Sequence, residues 1–220
     1  MTAQDMVTEA RLHLGGETTE TLSNNQILRW INRAYIDCAS TYKFDELEAS
    51  TSITTSSGTA EYEASAADIL TIIKVTDDTN NLTLVPWNRR MYELATQGNV
   101  SSITGVPTHW FISGVGSNSR RQFTFYPTPA GTYTINVYYR KRPTELVLTP
   151  AATSCVLPEP WDEVILLRAV AKGWRALGDD DRSYRAKQSA DEEESRARRS
   201  SFTASSVPIF NSSIVGGALR

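Results

Sequence analysis

Residues 123–178 decide the fold. They open as FTFYPTP (123–129), turn at Ala130-Gly131, continue as TYTINVYYRKRP (132–143), and after a Pro-marked loop become LPEPWDEVILLRAVAKGWRALGDDD (157–181). In the first two runs apolar and polar residues alternate, which puts one set of side chains on each face of an extended strand. From Pro160 the period becomes helical: Trp161, Val164, Ile165, Leu167, Ala171, Trp174 and Leu177 recur at three- and four-residue steps along one face. Pro160 suits the first turn, where its missing N–H costs nothing, and Gly178 ends the helix. A β-module here returns the chain to a helical layer.

Working outward, residues 2–13 have a helical pattern with Met6, Val7, Ala10 and Leu14 on one side, stopped by Gly15-Gly16. A second helix starts near Ser23, whose hydroxyl can cap the first turn, and carries Ile27, Trp30, Ile31, Ala34, Cys38 and Tyr42 on its apolar face. After Phe44 the period changes. STSITTSS (50–57) and TAEYEA (59–64) flank Gly58 and suggest a hairpin with one wet face. Ile69 to Val75 reads as a buried strand, Asp77 to Asn81 as a turn, and Leu82 to Val85 as the next strand. Pro86-Trp87 opens a short helix, NRRMYELA, closed by Gly98. Pro107 to Ile112, Phe123 to Tyr126 and Tyr133 to Tyr139 bring the total to roughly seven strands, enough for a compact β-domain. A last helix, from about Asp180 to Arg199, has acids at its start and Arg196, Arg198 and Arg199 at its end, as the helix dipole favours. Its apolar residues are few, so it needs neighbours or stays partly exposed.

The expected fold class is α+β: a helical bundle formed by both chain ends (1–48 and 149–199), an inserted antiparallel β-domain (49–148) and an extended C-terminal tail (200–220). The tail, SSFTASSVPIFNSSIVGGALR, has no charge before Arg220, and spaces Phe202, Val207, Ile209, Phe210, Ile214 and Val215 among Ser, Asn and Gly. A solvated disordered tail is charged and poor in aromatic and β-branched residues. This one reads as a segment that seeks a partner's surface, reaching about 70 Å if extended.

Composition narrows the function. The 220 residues carry a net charge of −3, so no global basic field holds nucleic acid or an anionic membrane. No apolar run approaches the ~20 residues of a membrane span, and the N-terminal MTAQDMVTEARLHLGG lacks the basic and apolar regions of a signal peptide. Folding in a cytoplasm is therefore expected, with Cys38 and Cys155 as free thiols. Neither cysteine belongs to a CxxC or Cys/His cluster, so no metal site is expected, and no P-loop, dinucleotide fingerprint or calcium loop implies a cofactor.

The histidines are His13, at the end of the first helix, and His109, in a strand before Trp110 and Phe111. No G-x-S-x-G context supports a nucleophilic serine, and His109 reads as a strand residue at a domain or subunit border. Asp179-Asp180-Asp181 reads as a solvated helix cap and Glu192-Glu193-Glu194 as solvent-facing, whereas a glycosidase needs one carboxyl raised in an apolar cleft. Arg120-Arg121 and Arg140-Lys141-Arg142, interleaved with Phe123, Phe125, Tyr138 and Tyr139, have the composition of a nucleic-acid platform. The negative net charge favours the other assignment, in which the aromatics alternate toward a core and the charges cap strand ends.

Four passages, in order, carry a family resemblance: ILRWINRAYIDCASTYKFDELEAS (27–50); LTIIKVTDD and LVPWNRRMYEL (70–78, 84–94); GVPTHWFISG and FTFYPTPAGTYTINVYYRKRP (105–114, 123–143); and LPEPWDEVILLRAVAKGWRALGDDD (157–181). In pattern and spacing the chain resembles a bacteriophage head-to-tail adaptor, or connector, of the portal-docking ring family. The resemblance implies a structural virion protein rather than an enzyme, made in the host cytoplasm and placed at the head-tail interface. It implies a ring, a 12-mer, beneath the portal protein, continuing the DNA channel through which the genome passes without sequence-specific binding. Tail nozzle, tube or fibre proteins would attach to it. Phe202, Val207, Ile209, Phe210, Ile214 and Val215 become the expected portal contacts. On the fourth long helix, Arg182 and the Tyr184-Arg185 step become the expected subunit contacts. Two alternatives remain: a tail-associated cell-wall glycan hydrolase, and a carbohydrate- or protein-binding tail module.

Overall fold

The computed structural model describes residues 1–16, 21–96, 103–116, 119–148 and 153–205, with side chains as far as 200. Among these the helices are α1 (Ala3–His13), α2 (Asn24–Thr41), α3 (Arg89–Thr96), α4 (Pro160–Ala176) and α5 (Asp180–Ser205). The strands are β1 (Glu48–Thr54), β2 (Glu61–Glu63), β3 (Ile69–Asp77), β4 (Leu82–Pro86), β5 (Thr104–Gly105), β6 (His109–Val115), β7 (Arg121–Tyr126), β8 (Thr128–Pro129) and β9 (Thr134–Lys141). The class is α+β. Backbone contacts divide the chain into two compact units, one of Met1–Tyr35 with the described residues from Leu146 onward, the other of Ile36–Glu145.

In the first unit each helix boundary has a local cause. Thr2 and Asp5 form a reciprocal capping box at the start of α1, Thr2 Oγ1 accepting from Asp5 N at 3.2 Å, and Gly15 and Gly16 leave the helix with positive φ. Ser23 Oγ accepts from Gln26 N at 3.2 Å and caps α2. Helix α4 begins on Pro160 and buries Trp161, Asp162, Val164, Ile165, Leu166, Ala169, Val170 and Gly173. The buried face thus centres on Leu166; Leu167, Ala171, Trp174 and Leu177, expected on it, are half-buried at its margins. At about 2–3 kcal/mol for each fully buried large side chain, this helix is the unit's main apolar contribution.

Asp179 caps α5, its Oδ1 accepting from Arg182 N at 2.9 Å. Helix α5 buries only Ser183, Ala190 and Ala197 among its described side chains and runs to Ser205, past the expected end at Arg199. The first residues of the expected tail, 200–205, are therefore helical. The capped helix continues because Ser, Phe, Thr and Ala are tolerated in a helix interior and neither Gly nor Pro interrupts them before Pro208.

The segment that re-enters this unit is tied down by polar contacts. Asn32 grips the backbone of Leu146 from both sides, Nδ2 donating to its carbonyl at 3.0 Å and Oδ1 accepting its N–H at 2.7 Å. Val156 N donates to the hydroxyl of Tyr35 at 3.1 Å. Thr2 and Ser154 form an antiparallel bridge, flanked by Ala3 N donating to Thr153 O and Cys155 N donating to Met1 O.

The second unit is a curled seven-stranded sheet in the order β1-β9-β3-β4-β6-β7-β2, with β5 and β8 as a separate parallel pair. Inner-face residues Ile53, Val75, Leu84, Phe123, Phe125, Ile135, Val137 and Tyr139 share one core with Ala64 and Ile69. Three expectations are corrected here. The sheet is mixed, not antiparallel, because β4 and β6 pair in parallel (Val85↔His109, Pro86↔Trp110) across the α3 crossover. The two runs around Gly58 are not a hairpin: β1 pairs with β9 and β2 with β7, at opposite edges of the sheet. Alternation in β1 matches the apolar alternation of β9, so the long-range pairing buries Ile53 and Thr51 where a local hairpin would not. Finally, β3 is not buried throughout; register shifts at Ile69/Thr71 and Ile72/Lys74 turn Ile73 outward. The turn expected at Asp77 to Asn81 does join an antiparallel pair, β3 and β4. Its base is the buried carboxylate of Asp77, which accepts from Thr79 N and from the Asn80 side chain.

Candidate interaction surfaces

No group of His, Cys, Asp and Glu among the described residues could hold a metal ion, and no described helix is long and apolar enough to cross a membrane.

On α5, Arg182 is engaged within its own unit. Its guanidinium lies 4.5 Å from the Trp174 ring centroid, and Nε is 3.2 Å from Asp179 Oδ2. Tyr184 stands 70% exposed, and Arg185 is exposed beside it. Glu194, expected to face solvent with its neighbours, instead pairs with Arg168 of α4 and with Arg198, and its side chain is largely covered. Apolar neighbours are scarce along α5, so its carboxylates complete the helix contact. Phe202 lies within α5, and Val207, Ile209, Phe210, Ile214 and Val215 fall outside the described residues.

Two titratable clusters in the first unit had no signature in the sequence. The Met1 ammonium pairs with the buried carboxylate of Asp162, and the hydrogen bond to Asp162 holds the ammonium above its usual range. Beside them burial, with the Asp162 charge adding, pushes the Cys155 thiol up to about 12, and burial likewise pushes Tyr35 up to about 12. On α4, burial raises Glu163, the like charges of Glu9 and Glu193 adding and His13 opposing. Only the three-dimensional approach of α1, α4 and α5 brings these groups together.

The second unit carries an aromatic corner around α3. Trp87 stacks on His109 (3.9 Å between centroids) and Tyr126 (5.1 Å), while Tyr92 meets Phe111 at 4.8 Å. His109 and Tyr126 are cross-strand neighbours on β6 and β7, which explains why one indole reaches both. Burial lowers the pKa of His109, and Thr108 Oγ1 lies 2.8 Å from its Nδ1. The opposite side of α3 leaves Met91 and Leu94 outward, Leu94 at 65% exposure.

The basic-aromatic runs divide by register. Phe123, Phe125 and Tyr139 face the core, as strand alternation predicts. Tyr138 points the other way, with Lys74 Nζ 4.5 Å from its ring centroid.

Over the whole chain, the SU10 adaptor protein family matches residues 1–208. The chain belongs to the SU10 adaptor protein family. The four passages that resemble head-to-tail adaptors lie within this match, so the resemblance is a relationship over nearly the whole chain. As an SU10 adaptor it is a phage structural protein; membership implies the virion as its location and portal and tail proteins as its partners. No curated protein matches this chain.

Proposed function

We propose that this SU10 adaptor forms a ring beneath the portal, continues the DNA channel and attaches tail components without catalysing a reaction. The observation that carries the proposal is the family match over residues 1–208, which spans both units. Helices from both chain ends would form the bundle that lines a 12-membered ring. Closure of such a ring needs one surface of a subunit to meet a different surface of the next. The face of α5 on which Arg182, Tyr184 and Arg185 are exposed would be one such surface. Its fold leaves α5 attached along a narrow stripe and free for a neighbour. The uncharged tail, with Phe202, Val207, Ile209, Phe210, Ile214 and Val215, would supply portal anchors. A net charge of −3 suits a wall past which DNA slides, since clustered Lys and Arg would grip phosphates through counterion release.

The test is reconstitution with the purified portal protein, read by native mass and electron microscopy. A stoichiometric ring on the portal is expected. A chain that stays monomeric beside assembled portal would sink the proposal. Removing 206–220 should leave folding intact and weaken portal docking. Ile209→Ala and Phe210→Ala should each weaken docking by about 1–3 kcal/mol if they are anchors.

A further inference from the structure

The outer face formed by β1, β9 and β3 carries two cations that have no carboxylate partner among the described residues. Register places Ser50, Tyr138 and Lys74 in one row across the three strands, and Glu48, Arg140 and Thr71 in the next. Lys74 is exposed and its only described partner is the ring of Tyr138. Among the described residues Arg140 makes no ion pair, and its Nε, the inner nitrogen of the guanidinium, is buried without an acceptor. Glu48, directly across from Arg140 and exposed, forms no ion pair with it. Ser50, Ser52 and Thr71 add exposed hydroxyls to the same face.

We propose that this face binds an extended, carboxylate-bearing segment of a partner protein, with Lys74 and Arg140 as its anchors. The two cations stand in adjacent rows of the ladder, on either side of the register shift between Ile72 and Lys74, and the rows are offset along β9 by the two-residue step from Tyr138 to Arg140, about 6.5–7 Å. In an extended chain, side chains at positions i and i+2 point the same way at about 6.5–7 Å. Acidic residues at alternate positions of a strand therefore match the cation spacing, and the hydroxyls complete the acceptors and donors around them. Nucleic acid fits less well. Lys74 covers a face of the only outward aromatic in these rows, and Phe123, Phe125 and Tyr139 are turned into the core, so no platform remains for stacking bases. An isolated chain presents the same face with or without a ring.

The probe is a fluorescein-labelled peptide, Glu-Ser-Glu-Ser-Glu-Ser, titrated with the full chain at low salt and followed by anisotropy. Saturable binding that weakens with added salt is expected. Lys74→Gln and Arg140→Gln should each weaken it by about fivefold, and Glu48→Gln should strengthen it by about twofold by removing a like charge from the bound carboxylates. Near-ultraviolet spectra of the variants guard against misfolding, and the gain in Glu48→Gln cannot arise from it. Equal affinity in all variants overturns the proposal, as does equal binding of a Ser-only peptide. Preferential binding of a six-nucleotide oligothymidine would reassign the face to nucleic acid. A wild-type dimer that Lys74→Gln/Arg140→Gln converts to monomer would assign the face to a second copy instead.

Discussion

Gly173 of α4 and Leu14, the cap residue of α1, meet at a point with no room for one more carbon. A Cβ on Gly173 would lie 2.7 and 2.9 Å from the two Leu14 methyls and 3.3 Å from Trp30 Cζ3. Glycine inside a helix costs about 1 kcal/mol relative to alanine, so its presence here reflects packing. Gly173→Ala should lower stability by about 1–2 kcal/mol in urea unfolding, overpacking outweighing the propensity gain. Leu14→Ala in the same chain should recover part of that loss, giving a non-additive double-mutant cycle. A simple sum of two losses would show that the contact is not the cause.

Asn32 replaces a missing strand partner for Leu146, satisfying both its N–H and its carbonyl. Asn32→Ala should cost about 1–3 kcal/mol by leaving those backbone groups unpaired. Asn32→Asp should fall in the same range, since a carboxylate can accept from Leu146 N but cannot donate to its carbonyl. Stability of Asn32→Asp equal to the parent chain would count against the two-sided grip.

The two thiols should be inert in the native protein. Cys38 is fully buried and burial with the neighbouring Asp162 charge pushes Cys155 up to about 12, while only a thiolate attacks a disulfide reagent. Ellman's reagent at pH 8 should react slowly with the folded chain and release two equivalents in guanidinium. Prompt release of one equivalent from the folded protein would refute this protection of Cys155.

Glu163 gives a pH-dependent expectation. Its folded pKa lies above the unfolded one, so its charged form opposes folding; stability is fully present below the unfolded pKa and is lost as pH rises through the folded pKa. Glu163→Gln should therefore raise the melting temperature at pH 7, with the advantage shrinking as the pH approaches 4. An equal shift at both pH values would point to a neutral packing effect.

The helices were legible because their causes are local: Thr2 and Ser23 at N-termini, Pro160 at a first turn, glycines at the stops. The strands were legible as strands, yet their partners were not. Nothing near Ser50 signals that β1 lies against β9 some eighty residues on, since pairing is chosen by which faces can be buried together. The parallel step from β4 to β6 was hidden for the same reason. Among surface residues, the sequence separated core aromatics from charged strand ends, while the outward turn of Tyr138 toward Lys74 required the register. Clusters such as Met1, Asp162 and Cys155 come from segments far apart in the chain and leave no motif.

The buried positions of α5, Ser183, Ala190 and Ala197, stand seven residues apart and are all small. A seam of small side chains brings two helices close but offers no large knobs to define how far one has slid along the other. Axial alignment is set by the short turn between α4 and α5, where Asp179 N donates to Trp174 O, together with polar contacts along the seam: Ser183 Oγ donating to Ala171 O at 2.8 Å near the turn, and the Arg168–Glu194 pair further along. A tight turn at one end and polar contacts along a seam of small side chains thus set where the far end of α5 is delivered.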